Sequence, residues 1–184
     1  MYAVAALFDT ETEKCIKNLW NGLSDKGISN YGQEAKDRRA HITIADYNNL
    51  DKNSFIELAE EVYKDKNQIE ISLSILGTFV KSGTLFVSAA ITTELHELHK
   101  NYHDKFAEFN DDPNSFYLPG KWVPHCTIAS RLNDENMLKA FDYCSKELKM
   151  IKGKITEIAL LEFKEFNEAG VCINAPIIYS KKLK

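Results

Sequence analysis

One five-residue pattern constrains this chain more than any other feature, because it is written twice. Residues 41–45 read His-Ile-Thr-Ile-Ala and residues 125–129 read His-Cys-Thr-Ile-Ala, 84 positions apart in a chain of 184. Each copy alternates polar and apolar residues, the signature of a half-buried strand. Residues two apart on a strand share a face, so His41, Thr43 and Ala45 are expected on one side and Ile42 and Ile44 on the other. His125, Thr127 and Ala129 follow the same rule against Cys126 and Ile128. An imidazole, a hydroxyl and a small residue make a polar patch with space beside it. Two such patches read as the halves of one active site.

The surroundings repeat as well. Setting Val4 on Val87 brings Ala6 onto Ala89, Thr10 onto Thr93 and Glu11 onto Glu94, 83 positions apart. Each half runs strand, helix, loop, motif strand, helix, strand, which an internal duplication explains. Residues 2–8 are expected as a buried strand. Thr10-Glu11-Thr12-Glu13 fits a capping box opening a helix whose Cys15, Ile16, Leu19, Trp20 and Leu23 form one apolar face. Gly27 ends that helix, and a polar loop over 28–40 leads to the first motif. A second helix is expected over about 53–66 and an alternating strand over 68–76. After a turn at 81–84, the second half supplies a strand at 85–91 and a helix capped by Thr93 that runs to about Asn110. The second motif follows, then a helix capped by Asn133, a strand over 154–163 and a further strand within 170–180. The fold class is α+β, a single domain of two pseudo-repeat lobes (about 1–80 and 81–184) intertwined at their ends.

Charge narrows the partners. Lys+Arg 23 against Asp+Glu 27 leaves a formal net charge of −4. That argues against long nucleic acid, DNA included, whose affinity rests on many phosphate contacts; a short or single-nucleotide ligand stays open. The arginines are only three, Arg38, Arg39 and Arg131, each within four residues of a His-x-Thr copy. A guanidinium grips phosphate bidentately, so these three are candidate ligands for an anionic substrate, although so few can also cluster by chance. The four cysteines are far apart and suggest neither a disulfide framework nor a zinc site. No basic leader and no membrane-length apolar run is present. A monomeric, cytoplasmic protein without a membrane partner is expected. The loop over 111–124 is the longest irregular stretch, and such loops are often functional. In it Tyr117 and Trp122 are candidates to stack on a base, and Lys121 to meet an anion. The alternative for Phe116 and Trp122 is that they plug the loop onto the core, the preferred reading for Phe116.

The paired motif suits phosphodiester chemistry. Histidine titrates near neutrality, at about pH 6.5 when unperturbed. One imidazole can take a proton while another gives one. In-line displacement at phosphorus needs both, on opposite sides. Thr43 and Thr127 hydroxyls, two residues along, can donate to the non-bridging oxygens as charge grows on them. These parts require no metal and no cofactor. A lone His-x-Thr arises readily by chance, whereas two copies in the same place of a duplicated half make a much stronger signal.

The pair His41-Ile-Thr43 and His125-Cys-Thr127, with Trp122-Val123-Pro124 leading into the second copy, resembles the 2H phosphoesterase superfamily. Within it the chain looks most like the bacterial 2′-5′ RNA ligase-like branch, over nearly its whole length. The resemblance implies two pseudo-symmetric lobes whose antiparallel sheets line a central cleft. It implies metal-independent opening of 2′,3′-cyclic phosphates, and cleavage or reversible joining of 2′-5′ linkages. It makes His41 and His125 the acid/base pair and Thr43 and Thr127 the phosphate binders. The implied partner is a small nucleotide or an RNA 3′ end carrying a cyclic phosphate, and the opened phosphate is expected on the 2′ oxygen.

Other readings compete. His96, His99 and His103 fall on one side of the helix expected after Thr93, and helical histidines can bind zinc; a solvated flank is the simpler expectation. A nucleotide- or RNA-end-binding module would use the same cleft without turnover. A 2′-5′ RNA ligase would run the chemistry in reverse. A cyclic phosphate of ADP-ribose or of a sugar is a further possible substrate.

Overall fold

In the computed structural model, which describes residues 1–184, local sequence sets the helix starts. The first strand, β1 (Tyr2–Phe8), runs directly into α1 (Thr10–Asp25). Its cap is Asp9, one residue ahead of the expected Thr10: the Asp9 carboxylate accepts the Thr12 N–H at 2.9 Å. Aspartate ranks above threonine as a cap, and its charge also suits the positive helix end. Gly27 adopts the left-handed conformation (φ 65°) that closes the helix, a geometry that costs glycine least. Of the expected apolar face, Ile16, Leu19, Trp20 and Leu23 are buried, whereas Cys15 is exposed. Then come β2 (His41–Tyr47), α2 (Lys52–Val62), β3 (Ile69–Thr78), β4 (Leu85–Ala89) and α3 (Thr93–Lys105). Helix α2 stops short of residue 66, because Lys64-Asp65-Lys66-Asn67 offers no apolar side to bury. Thr92, not Thr93, caps α3, which gives way to a single 3₁₀ turn at Ala107–Phe109. The chain ends with β5 (His125–Ala129), α4 (Asp134–Glu147, capped by Asn133 as expected), β6 (Ile151–Glu162), β7 (Glu165–Phe166), β8 (Cys172–Asn174) and β9 (Ile177–Lys182).

The main sheet is antiparallel, in the order β2-β1-β6-β3-β4-β5, with β9 also on β6. Strand β6 is its spine. Its first residues pair with β3 (Ile151 opposite Leu73, Ile155 opposite Ile69). Further along it pairs with β1 on one edge and β9 on the other. The two sequence halves therefore exchange strands: β3 joins β4 and β5, while β6 joins β1 and β2. The result is an α+β, two-lobed fold with an open sheet whose two ends, β2 and β5, are the motif strands. These ends approach each other without pairing.

The helices cover one sheet face and bury residues such as Phe8, Ile16, Leu23, Phe55, Leu73 and Phe106. Each fully buried side chain of this size contributes about 1.5–3 kcal/mol. The other face carries a small apolar patch of Ala5, Leu7, Ala159 and Leu161, of which Leu161 lines the cleft. No helix is long and apolar enough to cross a membrane.

Two departures from strict alternation matter for the site. In β2, Val4 pairs with Ala45 but Ala5 pairs with Thr43, so Ile44 is an extra, bulged residue. In β5, Leu85 pairs with Ala129 but Phe86 with Thr127, so Ile128 is its counterpart. A bulge flips the parity of everything after it. Ala45 and Ala129 consequently face the core and are buried, rather than sharing the face of the histidines. The expected strand within 170–180 is likewise divided. Pro176, which has no N–H to give a ladder, separates β8 from β9, and β8 folds back on β7 as a small hairpin.

Candidate active site

Each motif histidine is oriented by its own backbone. The His41 Nδ1–H donates to Arg39 O at 2.7 Å, and the His125 Nδ1–H donates to Val123 O at 2.8 Å. A carbonyl can only accept, so both rings carry their proton on Nδ1 when neutral, which leaves Nε2 bare. Across the ladder His41 lies opposite Leu7 and Thr43 opposite Ala5, while His125 lies opposite Ser88 and Thr127 opposite Phe86. All four motif side chains line one cavity of about 810 Å³, together with Arg38 and Tyr117.

The surroundings hold both imidazole pKa values below the usual histidine range. Burial lowers the His41 pKa, and the positive charges of Arg38 and of a protonated His125 lower it further. Burial also lowers that of His125, against the pull of its bond to Val123 O. The Phe79 ring stands edge-on to His125, with centroids 4.8 Å apart, and Phe86 lies 5.2 Å away. Arg38 spreads its guanidinium 4.1 Å above the Tyr31 ring, and its Nε is buried with no hydrogen-bond partner.

The open edges of β2 and β5 are held by two indoles that cross between the halves. Trp122 donates Nε1–H to Thr43 O at 2.9 Å. Trp20, on α1, donates to Thr127 O at 3.1 Å. An edge-strand carbonyl needs such a donor when water is excluded. Trp122 is in turn stacked flat on His99, with centroids 3.9 Å and planes 4° apart. His99 Nε2–H donates to Tyr117 O at 2.7 Å, and His103 Nε2–H to Ile44 O at 3.3 Å. His99 and His103 are thus buried struts of the site, not a solvated flank. Burial, chiefly, lowers the His99 pKa to about 4. No group of three or more His, Cys, Asp or Glu side chains is placed to hold a metal ion.

The other candidates divide. Tyr117 and Arg38 reach the cavity. Arg39 also borders it, but its Nε is committed to both oxygens of the nearly buried Glu13, at 2.8 and 2.7 Å, an ion pair that braces the turn before His41. Arg131 pairs with Glu34, Lys121 donates to Pro113 O at 3.2 Å, and Trp122 stands behind Thr43; none of these three lines the cavity. Phe116 does not plug the loop onto the core: it is 82% exposed. Ser115 donates to Asp46 at 2.6 Å and accepts the Tyr117 N–H at 3.1 Å, which turns residues 115 and 117 inward and residue 116 out.

Several wall residues lie outside the sequence-based candidates. Tyr31 sits in a polar loop, Trp20 reads as an ordinary helix-core residue, and Asp46 turns toward the cavity only because of the bulge. The connection around the β7–β8 hairpin adds Phe163, Cys172, Asn174 and Pro176; Lys36 N–H donating to Ile173 O at 3.2 Å ties it to the loop before the first motif.

Comparison with known proteins bears on this arrangement. Residues 10–165 match the model of the 2′-5′ RNA ligase superfamily. No curated protein matches the chain significantly in sequence. The fold resembles that of E. coli LigT in its apo form, with a TM-score of 0.64 at 12% identity over 99% of this chain and 96% of LigT. The same values hold for LigT complexed with 3′-AMP. TT0787 of Thermus thermophilus gives 0.60 at 13% identity, over 99% of this chain and 97% of that one.

Proposed function

The chain belongs to the 2′-5′ RNA ligase superfamily, and on that premise we propose that it is a phosphodiesterase acting on 2′,3′-cyclic phosphates, or on 2′-5′ phosphodiester bonds, of RNA ends and small nucleotides. One observation carries the reading: two imidazoles with Nδ1 fixed on a backbone carbonyl line one cavity from two facing strands. In that arrangement one neutral Nε2 takes the proton of an attacking water. The water oxygen bonds to phosphorus, the ribose oxygen leaves on the opposite side, and the protonated partner imidazole delivers a proton to it. Thr43 and Thr127 donate to the non-bridging oxygens, and the unpaired Arg38 balances their charge. No metal enters these steps. The 3′-AMP complex of LigT supports a ligand of mononucleotide size. With a 5′-hydroxyl attacking in place of water and the 3′ oxygen leaving with the proton from the partner imidazole, the same groups would join ends through a 2′-5′ linkage.

The test is a short RNA ending in a 2′,3′-cyclic phosphate, incubated with the protein in EDTA, with products resolved by chromatography. A single monophosphate, expected as the 2′ form, should appear. His41→Ala and His125→Ala should each lower kcat by about 10²–10⁴, and the double variant should be little worse than either, since the pair acts as a unit. Full activity in one single variant would overturn the mechanism. Tight binding without turnover, of this RNA and of 2′-5′-linked oligonucleotides, would make the protein a binding module instead.

A further inference from the structure

A carboxylate on the floor of a phosphate-binding cavity calls for a reason, and Asp46 is one. The bulge at Ile44 turns it onto the face of His41 and Thr43, and it lines the same cavity. Asp46 lies opposite Ala3, Ala3 opposite Leu161, and Leu161 opposite Ile177. This row crosses the sheet two β1 residues from the Thr43–Ala5 row, about 7 Å away at strand spacing. Its members Ala3, Leu161 and Ile177 are apolar and also line the cavity. The carboxylate takes part in none of the ion pairs. One oxygen accepts the Ser115 hydroxyl at 2.6 Å, which fixes its orientation and leaves acceptor capacity unused, since a carboxylate has about four lone-pair sites.

The charges therefore orient a ligand. Arg38 and the motif donors attract phosphate at one end of the cavity, and Asp46 repels it at the other. What fits the Asp46 end has flat apolar faces and presents N–H donors at its edge, which describes a nucleobase. Resting on the phosphodiesterase reading, we propose that Asp46 selects the base, and that the site prefers a guanosine 2′,3′-cyclic phosphate or a 3′-terminal guanosine. Guanine offers adjacent N1–H and N2–H donors, which a carboxylate can accept together. Adenine and cytosine each set one amino group beside a ring acceptor that the carboxylate repels. Uracil sets a single N–H between two carbonyls and fits worst.

The experiment compares kcat/KM for the four nucleoside 2′,3′-cyclic phosphates in the wild type and in Asp46→Asn, which keeps an acceptor for Ser115. The wild type should favour guanosine over uridine by about 10–100-fold, the range of one good bidentate contact. Asp46→Asn should abolish that preference and raise adenosine relative to guanosine, because an amide matches adenine's donor and acceptor edge. Equal rates on all four bases, or an unchanged guanosine preference in Asp46→Asn, would overturn the base assignment while leaving the chemistry standing. Absence of turnover on every substrate would instead strike the phosphodiesterase reading. Calorimetry with guanosine and uridine 3′-monophosphates then still reads base selection, and equal Kd values would refute it.

Discussion

Replacing Trp122 by Phe isolates the role of a single hydrogen bond. Phenylalanine keeps a ring for His99 to stack on but deletes the Nε1–H that meets Thr43 O at 2.9 Å. The carbonyl belongs to an edge strand, so no neighbouring strand replaces the donor. Leaving such an acceptor unpaired costs about 1–3 kcal/mol, toward the lower end where water from the cavity reaches it. In a chain of this length each kcal/mol moves Tm by about 2–4 °C, so Trp122→Phe should melt roughly 2–12 °C below wild type. Because Thr43 and His41 ride on the freed strand, kcat on a cyclic nucleotide should also fall by about 10–100-fold, the effect of misplacement on the scale of an ångström. Trp20→Phe should behave alike through Thr127 O. Thermal unfolding by circular dichroism and steady-state kinetics on the same preparation supply both readings. A Trp122→Phe protein with wild-type Tm and kcat would refute the idea that the indoles hold the motif strands.

Three further outcomes are expected. A Cβ added to Gly32 would sit 2.6 Å from the Trp20 Cβ, close to the helix backbone and hard to move, so Gly32→Ala should cost about 1–3 kcal/mol in denaturant unfolding and lower kcat with it. His99 has its folded pKa depressed to about 4 against about 6.5 unfolded. Its contribution is complete above pH 6.5 and is lost as pH falls toward 4, because the unfolded chain takes up the proton first; His99→Phe should flatten the fall in Tm across that window. Both motif pKa values are lowered, so the bell of kcat/KM should centre below pH 6.5. Removing the Arg38 charge should move the His41 limb to higher pH, and an unmoved limb would show that Arg38 does not set the His41 pKa.

Much of this arrangement is legible in residue types. The duplicated motif, its strand character and the elements around it follow from alternation and helical spacing, and so does the convergence of two histidines. The inward face fails at Ala45 and Ala129, because a bulge depends on how two strands register and not on either strand alone. The exchange of β3 and β6 between halves is hidden for the same reason. Tyr31 and Trp20 carry no motif; a buried indole N–H announces that it needs a partner but not which carbonyl supplies it. The histidines of α3 mislead in the opposite direction. Their spacing beside the apolar stripe suggests a wet flank, and only the packed loop over 111–124 reveals that two of them are enclosed.

The pairing of β1 with β6 also sets the order in which the molecule can be made. Tyr2 meets Glu162 and Phe8 meets Ile155, so β1 waits for a partner made 160 and 147 residues later at these two positions. Contacts of such sequence separation slow folding. During synthesis, at about 5–20 residues per second, the Ala-Val-Ala-Ala-Leu-Phe edge of β1 stays uncovered for about 10–30 s. Strand β2 covers only the opposite edge of β1, so a nascent chain of this design carries the β6-facing edge open until β6 itself has been made.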